Sequence, residues 1–161
     1  MSNRFRIFMS LFSMGSALAI IGILWSGGLS PSVSLQAALH GLHISEAELA
    51  SPLTKVSANQ IVQSYKNALK CSQNPGLAFE VGSTYHVSSF GLYGLALLSS
   101  VSFRQTIAFA LQYYQLTAPL VQAGFEEQAP AAAWTMTVLP FKQLDAALHD
   151  FIIELQIGSL L

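Results

Sequence analysis

The side chains of this sequence that could carry chemistry are few, and they are not grouped as a catalytic or metal site requires. Cys71 is the only cysteine, so no internal disulfide can form. His40 and His43 lie three residues apart and could share a helix face, but no third ligand accompanies them. Glu126 and Glu127 are adjacent at a strand end, where their side chains point to opposite faces and cannot act as a paired acid and base. We therefore predict no metal site, no cofactor and no catalytic residue.

The sequence also lacks the loops and turns that bind nucleotides or present a nucleophile. It contains no Gly-x-Gly-x-x-Gly, no phosphate-binding loop ending in Gly-Lys-Ser/Thr, and no Gly-x-Ser-x-Gly elbow. Cys71 has no identifiable base beside it in the sequence, so we expect a passive thiol. A non-enzymatic protein is the prediction.

One concentration of aromatic residues could line a small-molecule pocket with an apolar wall and a few polar tips. Plain core packing is the alternative interpretation of the same residues. The candidate ligand-binding set is Tyr85, His86, Phe90, Tyr93, Tyr113 and Tyr114.

Composition restricts the partners of the chain. Its 161 residues carry 7 Lys and Arg against 8 Asp and Glu, so the formal net charge is −1. A domain that neutralises many phosphates needs a basic excess, so we expect no direct nucleic-acid contact by this chain. With 52% hydrophobic residues and a mean hydropathy of +0.49, the chain must bury its apolar surface in a core, a bilayer or a partner.

Residues 7–29 form an uncharged N-terminal run, preceded by two arginines. The length and the flanks satisfy the criteria for a membrane-spanning helix. A buried helix is the alternative, because small residues recur at helical spacing and offer a face for close packing. These small residues are Gly15, Ala19, Gly22 and Ser26.

Capping signals and apolar periodicity predict short helical pieces followed by longer helices. Ser45 and Glu48 form a capping box, and Ser57 with Gln60 opens a firmer helix with Ile61, Tyr65, Ala68 and Leu69 on one face. Ser102 opens another helix, with a core-facing stripe. That stripe is Phe103, Ile107, Ala110, Leu111 and Tyr114. Between these helices, residues 77–81 alternate in a way that leaves a strand and a short helix both open.

The C-terminal half predicts a β-hairpin and a last helix. Residues 120–126 and 134–139 are β-capable runs joined by a loose loop over 127–130. After Pro140, a helix is expected to place six apolar residues on one face. These are Phe141, Leu144, Leu148, Phe151, Ile152 and Leu155. The fold class is therefore α+β, mainly helical, with a small antiparallel hairpin or sheet in the C-terminal half of one domain.

Several segments, taken in order, resemble the N-terminal, arabinose-binding-type sensor domain of AraC-like transcriptional regulators. The resemblance covers roughly residues 17–150. The segments are Val56-Ser-Ala-Asn-Gln60, Asn74-Pro-Gly-Leu-Ala-Phe-Glu-Val-Gly82, Phe90-Gly-Leu-Tyr-Gly-Leu-Ala-Leu-Leu-Ser-Ser100, Ser102-Phe-Arg-Gln-Thr-Ile-Ala-Phe-Ala110 and Gln112-Tyr-Tyr-Gln-Leu116.

The resemblance implies a domain at residues 17–161, after an apolar extension at 1–16, that senses a small-molecule effector or mediates oligomerisation as a homodimer. It also implies that residues 77–82 are helical and that the hairpin belongs to a small antiparallel sheet. No helix-turn-helix is identifiable, so control would act on an attached or partner DNA-binding domain in the cytoplasm. The alternative is a small membrane-anchored protein, with a spanning helix at 7–29 and a soluble interaction domain.

Overall fold

The computed structural model of this chain describes residues 35–50, 54 and 56–161. These residues form seven α-helices, one 3₁₀ turn and one two-stranded sheet, which confirms the predicted mainly helical α+β class. In order they are α1 (Leu35–Leu39), α2 (Glu46–Ala50), α3 (Ala58–Cys71), α4 (Leu77–Ser83), the 3₁₀ turn (Val87–Phe90), α5 (Gly91–Leu98), α6 (Phe103–Thr117), β1 (Val121–Gln128), β2 (Ala131–Val138) and α7 (Ala146–Gly158).

The apolar run at residues 7–29 lies outside the described residues, as does the predicted extension at 1–16. Among the helices that the structure describes, none is long and apolar enough to cross a membrane.

Side-chain caps begin the helices at the predicted positions. The Ser45 and Ser57 capping boxes are both formed; at Ser57 the hydroxyl accepts from the Gln60 N–H at 3.3 Å, and the Gln60 carboxamide accepts from the Ser57 N–H at 2.8 Å. Ser102 likewise accepts from the Gln105 N–H. Each cap satisfies a backbone N–H that the first helical turn leaves without an intrahelical partner.

A buried amide holds the first short helix against α3. The Nδ2 group of Asn67 donates at 2.8 Å to the carbonyl oxygens of both Ala38 and His40. Gly41 follows with a φ of +74°, a left-handed conformation that glycine adopts without steric cost, and the chain leaves the helical path there.

Helices α4 and α7 cross with their backbones in contact. A Cβ added at Gly82 would overlap the Leu155 carbonyl oxygen, and one added at Gly158 would overlap the Phe79 carbonyl oxygen. Residues 77–83 are helical, as the resemblance implied, because burial at Leu77, Ala78, Val81 and Gly82 follows a helical and not a strand period. Two glycines therefore set the distance between these helices.

The antiparallel hairpin pairs Val121 with Val138 and continues to Gln128 opposite Ala131. The predicted loose loop over residues 127–130 is wrong, because pairing extends until only two residues, with a cis Ala129–Pro130 bond, connect the strands. The alternation along β2 is confirmed: Trp134 and Met136 are half-buried, Val138 is buried, and the threonines between them are exposed.

The predicted apolar stripe of α6 is wrong at one residue. Phe103 is 66% exposed and packs edge-on against Phe125 of β1 at 6.0 Å between ring centroids, whereas Ala110 and Tyr114 are buried. The first turn of α6 extends beyond the core, so a residue on the apolar side of the helix meets solvent there.

The last helix begins later than predicted. The Asp145 carboxylate caps it by accepting from the Leu148 N–H at 2.8 Å, so α7 starts at Ala146 and not directly after Pro140. Phe141 and Leu144 precede the helix and pack against the core from the connection. Leu148, Phe151, Ile152 and Leu155 are buried on one face of α7, as predicted.

Helix α5 is an element that the sequence patterns did not assign. Its residues are almost all apolar or glycine, so no amphipathic period distinguishes a helix there. A Cβ at Gly94 would overlap the Val87 carbonyl oxygen, so this glycine lets the 3₁₀ turn lie directly against α5. The turn and α5 together position the aromatic cluster described next.

Candidate functional site

A cavity of about 240 Å³ lies between α5, α6, the end of α7 and the hairpin. Fifteen of the described residues line it, and none of these is acidic, basic or histidine. They are Tyr85, Val87, Phe90, Tyr93, Leu97, Thr106, Ile107, Ala110, Tyr114, Thr117, Ala118, Trp134, Gln156, Ser159 and Leu160.

Four of the six predicted site residues meet in this cavity. Tyr85, Phe90, Tyr93 and Tyr114 all line it. Phe90 makes edge-to-face contacts with Tyr85 and with Tyr93, at ring-centroid distances of 5.9 and 6.3 Å. This geometry is favourable for aromatic pairs and makes a stiff wall from a segment rich in glycine and serine.

The other two predicted residues lie outside the cavity. Tyr113 is half-exposed and packs on Phe109 with ring centroids 4.7 Å apart, because adjacent residues on a helix point about 100° apart and only Tyr114 faces inward. His86 is exposed and does not line the cavity.

The buried polar centre of the cavity is a hydrogen bond between α6 and α7. The Tyr114 hydroxyl donates to the Gln156 Oε1 atom at 2.8 Å, and both residues are buried. Burial, with a smaller contribution from Tyr93, raises the pKa of the Tyr114 hydroxyl, and burial raises the pKa of Tyr93 to about 12. Both phenols are therefore protonated and neutral near pH 7.

Gln156 is the hydrogen-bonding residue at the centre of this site that the sequence reasoning missed. It stands four residues after Ile152 on the buried face of α7. A glutamine at a core position of an amphipathic helix is a signal that could have found it, since buried polar side chains need a partner. Its pairing with Tyr114, 42 residues away, is visible only in the tertiary structure.

A second cavity, of about 280 Å³, lies where α3 and the turn before α4 meet α7. Its walls include the carboxylates of Asp150 and Glu154 and none of the predicted aromatic residues. Among the residues that the structure describes, no group of three or more His, Cys, Asp or Glu side chains could hold a metal ion. The aromatic cavity is therefore the stronger candidate for a ligand site.

Comparison with known families decides the classification. The family model described as the arabinose-binding domain of AraC transcription regulators, N-terminal, matches residues 33–161. The chain belongs to this family. Members of the arabinose-binding domain family are regulatory ligand-binding domains of transcription regulators.

Two curated proteins are similar to this chain. They are uncharacterized HTH-type transcriptional regulators of Mycobacterium bovis and Mycobacterium tuberculosis, each 27% identical to this chain over 124 residues. The match covers 76% of this chain and 35% of each regulator, so the chain spans about a third of the length of these relatives. No solved structure matches the domain.

Proposed function

We propose that this chain is the effector-sensing domain of an AraC-like regulator, in residues 17–161, and that its effector occupies the aromatic cavity. The observation that carries the proposal is a neutral, mainly apolar cavity around one buried hydrogen bond, which matches the composition of small-molecule sites. The binding residues proposed from the predicted set are Tyr85, Phe90, Tyr93 and Tyr114.

The position of the cavity suggests how occupancy would reach another domain. Its walls combine α5, α6 and the end of α7 with the residues that follow it, Ser159 and Leu160. An effector that fits only one packing of these helices would shift the population towards it, and an attached or partner DNA-binding domain would respond to that shift.

Calorimetric titration tests effector binding by the purified chain. Four probes of different chemistry are used separately: p-cresol, 4-fluorotoluene, 4-methylbenzoate and L-arabinose. The cavity is filled in the variant Thr106→Phe, and the matched control is Ala108→Phe, an exposed position on the same helix. At least one probe should bind wild type and the control but not the filled variant. If Thr106→Phe changes no titration, the cavity is not the effector site.

A fused reporter tests control of a DNA-binding domain. The chain is joined to a DNA-binding domain that represses transcription only as a dimer. The probe that binds in calorimetry should change repression, and Thr106→Phe should remove this response. A bound probe that leaves repression unchanged would contradict the sensing role.

We also propose that the domain forms a homodimer through an exposed apolar surface. This surface consists of the outer face of α5, the following turn and the first residue of α6, with exposed fractions from 58% to 90%. Its residues are Leu92, Leu95, Leu98, Val101 and Phe103. Contiguous apolar patches on soluble proteins commonly mark interaction sites, and a self-complementary patch closes as a twofold dimer.

Light scattering tests the homodimer. Leu95→Glu should halve the measured mass, whereas Leu69→Glu, at an exposed position on α3, should not. A wild-type monomer would refute this proposal.

The membrane-anchored alternative concerns residues 7–29 and stays a prediction. Carbonate extraction of membranes from cells that produce the full chain distinguishes the alternatives. A spanning helix keeps the protein in the pellet, whereas a cytoplasmic sensor with a buried helix is released.

A further inference from the structure

We propose that the effector is a small, neutral and mainly apolar molecule that donates a hydrogen bond, such as a phenol, and is neither a sugar nor a carboxylate. This inference rests on the proposed function, because it assigns a chemical class to the occupant of the same cavity. Three properties of the wall carry it: its charge, the direction of its hydrogen bonds, and its size.

In the part of the chain that the structure describes, the wall carries no charge that could pair with an ionised ligand. None of the fifteen lining residues is Lys, Arg, His, Asp or Glu. Because burial raises the pKa of both Tyr93 and Tyr114, these phenols also stay neutral. A carboxylate in this cavity would lose its hydration and gain no opposite charge, which is strongly unfavourable.

Five of the six lining hydroxyl groups in the described residues present acceptors and not donors. Six lining residues carry a hydroxyl, and five of them already donate their single proton to a protein oxygen. The acceptors are Ala110 O for Tyr93, Gln156 Oε1 for Tyr114, Ser102 O for Thr106, Tyr114 O for Thr117, and Gln156 O for Ser159. A hydroxyl whose proton is engaged has only lone pairs to offer a ligand.

The Gln156 carboxamide can complete the recognition of a ligand hydroxyl. Its Oε1 atom accepts from Tyr114 and retains a second lone pair. Its Nε2 group makes no hydrogen bond to another residue in the described part of the chain, so it can donate to the oxygen of the ligand. One hydroxyl that donates and accepts matches this pair of atoms.

A sugar does not fit the rest of the wall. Seven lining side chains are purely hydrocarbon and four more are tyrosine or tryptophan rings. A sugar brings several hydroxyl groups, and those that face hydrocarbon would be buried without partners.

The size of the cavity limits the size of the ligand. The cavity volume of about 240 Å³ equals that of roughly eight water molecules in the liquid. A phenol with one methyl group has eight non-hydrogen atoms.

The experiment compares dissociation constants of the four probes for the wild-type chain by calorimetry. p-Cresol and 4-fluorotoluene have the same number of non-hydrogen atoms and differ in the hydroxyl donor. 4-Methylbenzoate adds a negative charge, and L-arabinose represents a polyhydroxylated ligand. We expect p-cresol to bind about fivefold more tightly than 4-fluorotoluene, which corresponds to one net hydrogen bond. It should bind at least tenfold more tightly than 4-methylbenzoate or L-arabinose.

The filled variant separates failure of this inference from failure of the proposed function. If L-arabinose or 4-methylbenzoate binds more tightly than p-cresol and Thr106→Phe removes that binding, the sensing proposal stands and the chemical class is wrong. If p-cresol binds no more tightly than 4-fluorotoluene, the donor requirement is wrong. Binding of p-cresol that persists in Thr106→Phe, or its failure to bind up to its solubility limit, overturns the inference. Tightest binding of p-cresol that is lost in Thr106→Phe and kept in Ala108→Phe supports it.

Discussion

The buried hydrogen bond between Tyr114 and Gln156 predicts a specific stability change on removal of one oxygen atom. Tyr114→Phe keeps the buried ring and deletes only the hydroxyl that donates to Gln156 Oε1 at 2.8 Å. The net loss of such a bond is about 1 kcal/mol, and the remaining buried carbonyl without a partner adds about 1 kcal/mol or more. We therefore expect the free energy of unfolding to fall by about 2 kcal/mol.

A double-mutant cycle tests whether the loss comes from this one contact. Gln156→Leu leaves the Tyr114 hydroxyl without its acceptor and should also lower the free energy of unfolding by about 2 kcal/mol. Because the double variant leaves neither group unsatisfied, it should lose only the net bond term of about 1 kcal/mol and not the sum of about 4, which gives a coupling energy of about 3 kcal/mol.

Urea unfolding at pH 7 is the assay. For a slope of about 2 kcal/mol per molar urea, Tyr114→Phe should lower the midpoint by about 1 M without changing the slope. Tyr113→Phe is the matched control, since its half-exposed hydroxyl accepts only from the neighbouring Gln112 side chain, and it should cost less than about 0.5 kcal/mol. The reasoning is refuted if Tyr114→Phe lies within about 0.5 kcal/mol of wild type or if the two single losses add in the double variant.

Three further predictions follow from the tyrosines, the helix crossing and the last cap. Because burial raises the pKa of Tyr93 to about 12 from 10.0 and also raises that of Tyr114, the folded state holds these protons where the unfolded state releases them. The free energy of unfolding should therefore fall as the pH rises from 10 to 12. In chemical unfolding at stepped pH, the variant Tyr93→Phe should make this fall less steep by up to about 1.4 kcal/mol per pH unit. An unchanged pH dependence would contradict the raised pKa of Tyr93. In urea unfolding, Gly82→Ala should lower the free energy of unfolding by at least about 2 kcal/mol, because the added Cβ overlaps the α7 backbone. Gly76→Ala, whose added Cβ meets only ordinary contacts, should lower it by less than about 1 kcal/mol. Equal losses would refute the backbone crossing. Asp145→Ala removes the α7 cap and should lower the unfolding free energy by about 1 kcal/mol, with Asp145→Ser recovering most of it; a loss that serine does not recover would exclude a capping role.

The residues of the candidate site show where sequence reasoning succeeded and where it could not. The aromatic concentration grouped Tyr85, Phe90, Tyr93 and Tyr114, which line one cavity, because a dense set of aromatic residues is recognisable in the sequence without knowledge of their neighbours. It could not separate Tyr114 from Tyr113, since that choice depends on which side of α6 meets α5 and α7. Trp134 was placed in the hairpin correctly, but its position on the cavity wall follows from how the hairpin packs against α6.

Local signals determined much of this protein before any packing was known. The caps at Ser45, Ser57 and Ser102, the buried positions Ile61, Tyr65 and Ala68 of α3 and the alternation along β2 all depend on residues close together in sequence, so sequence spacing was enough to find them; Leu69, predicted on the same face of α3, is exposed. Charge balance and the absence of catalytic motifs are also properties of the sequence alone. The ordered segments were sufficient to indicate the regulator family.

Tertiary structure decided what depends on contacts between distant residues. The close crossing of α4 and α7 requires Gly82 and Gly158 to meet, although 75 residues separate them. The sequence did not predict that α5 is a helix, because this segment has no amphipathic period. The stability of α5 comes from packing against the 3₁₀ turn and α6. The Tyr114–Gln156 bond and the neutral wall around it exist only where the two helices meet, and that juxtaposition makes the cavity a candidate effector site.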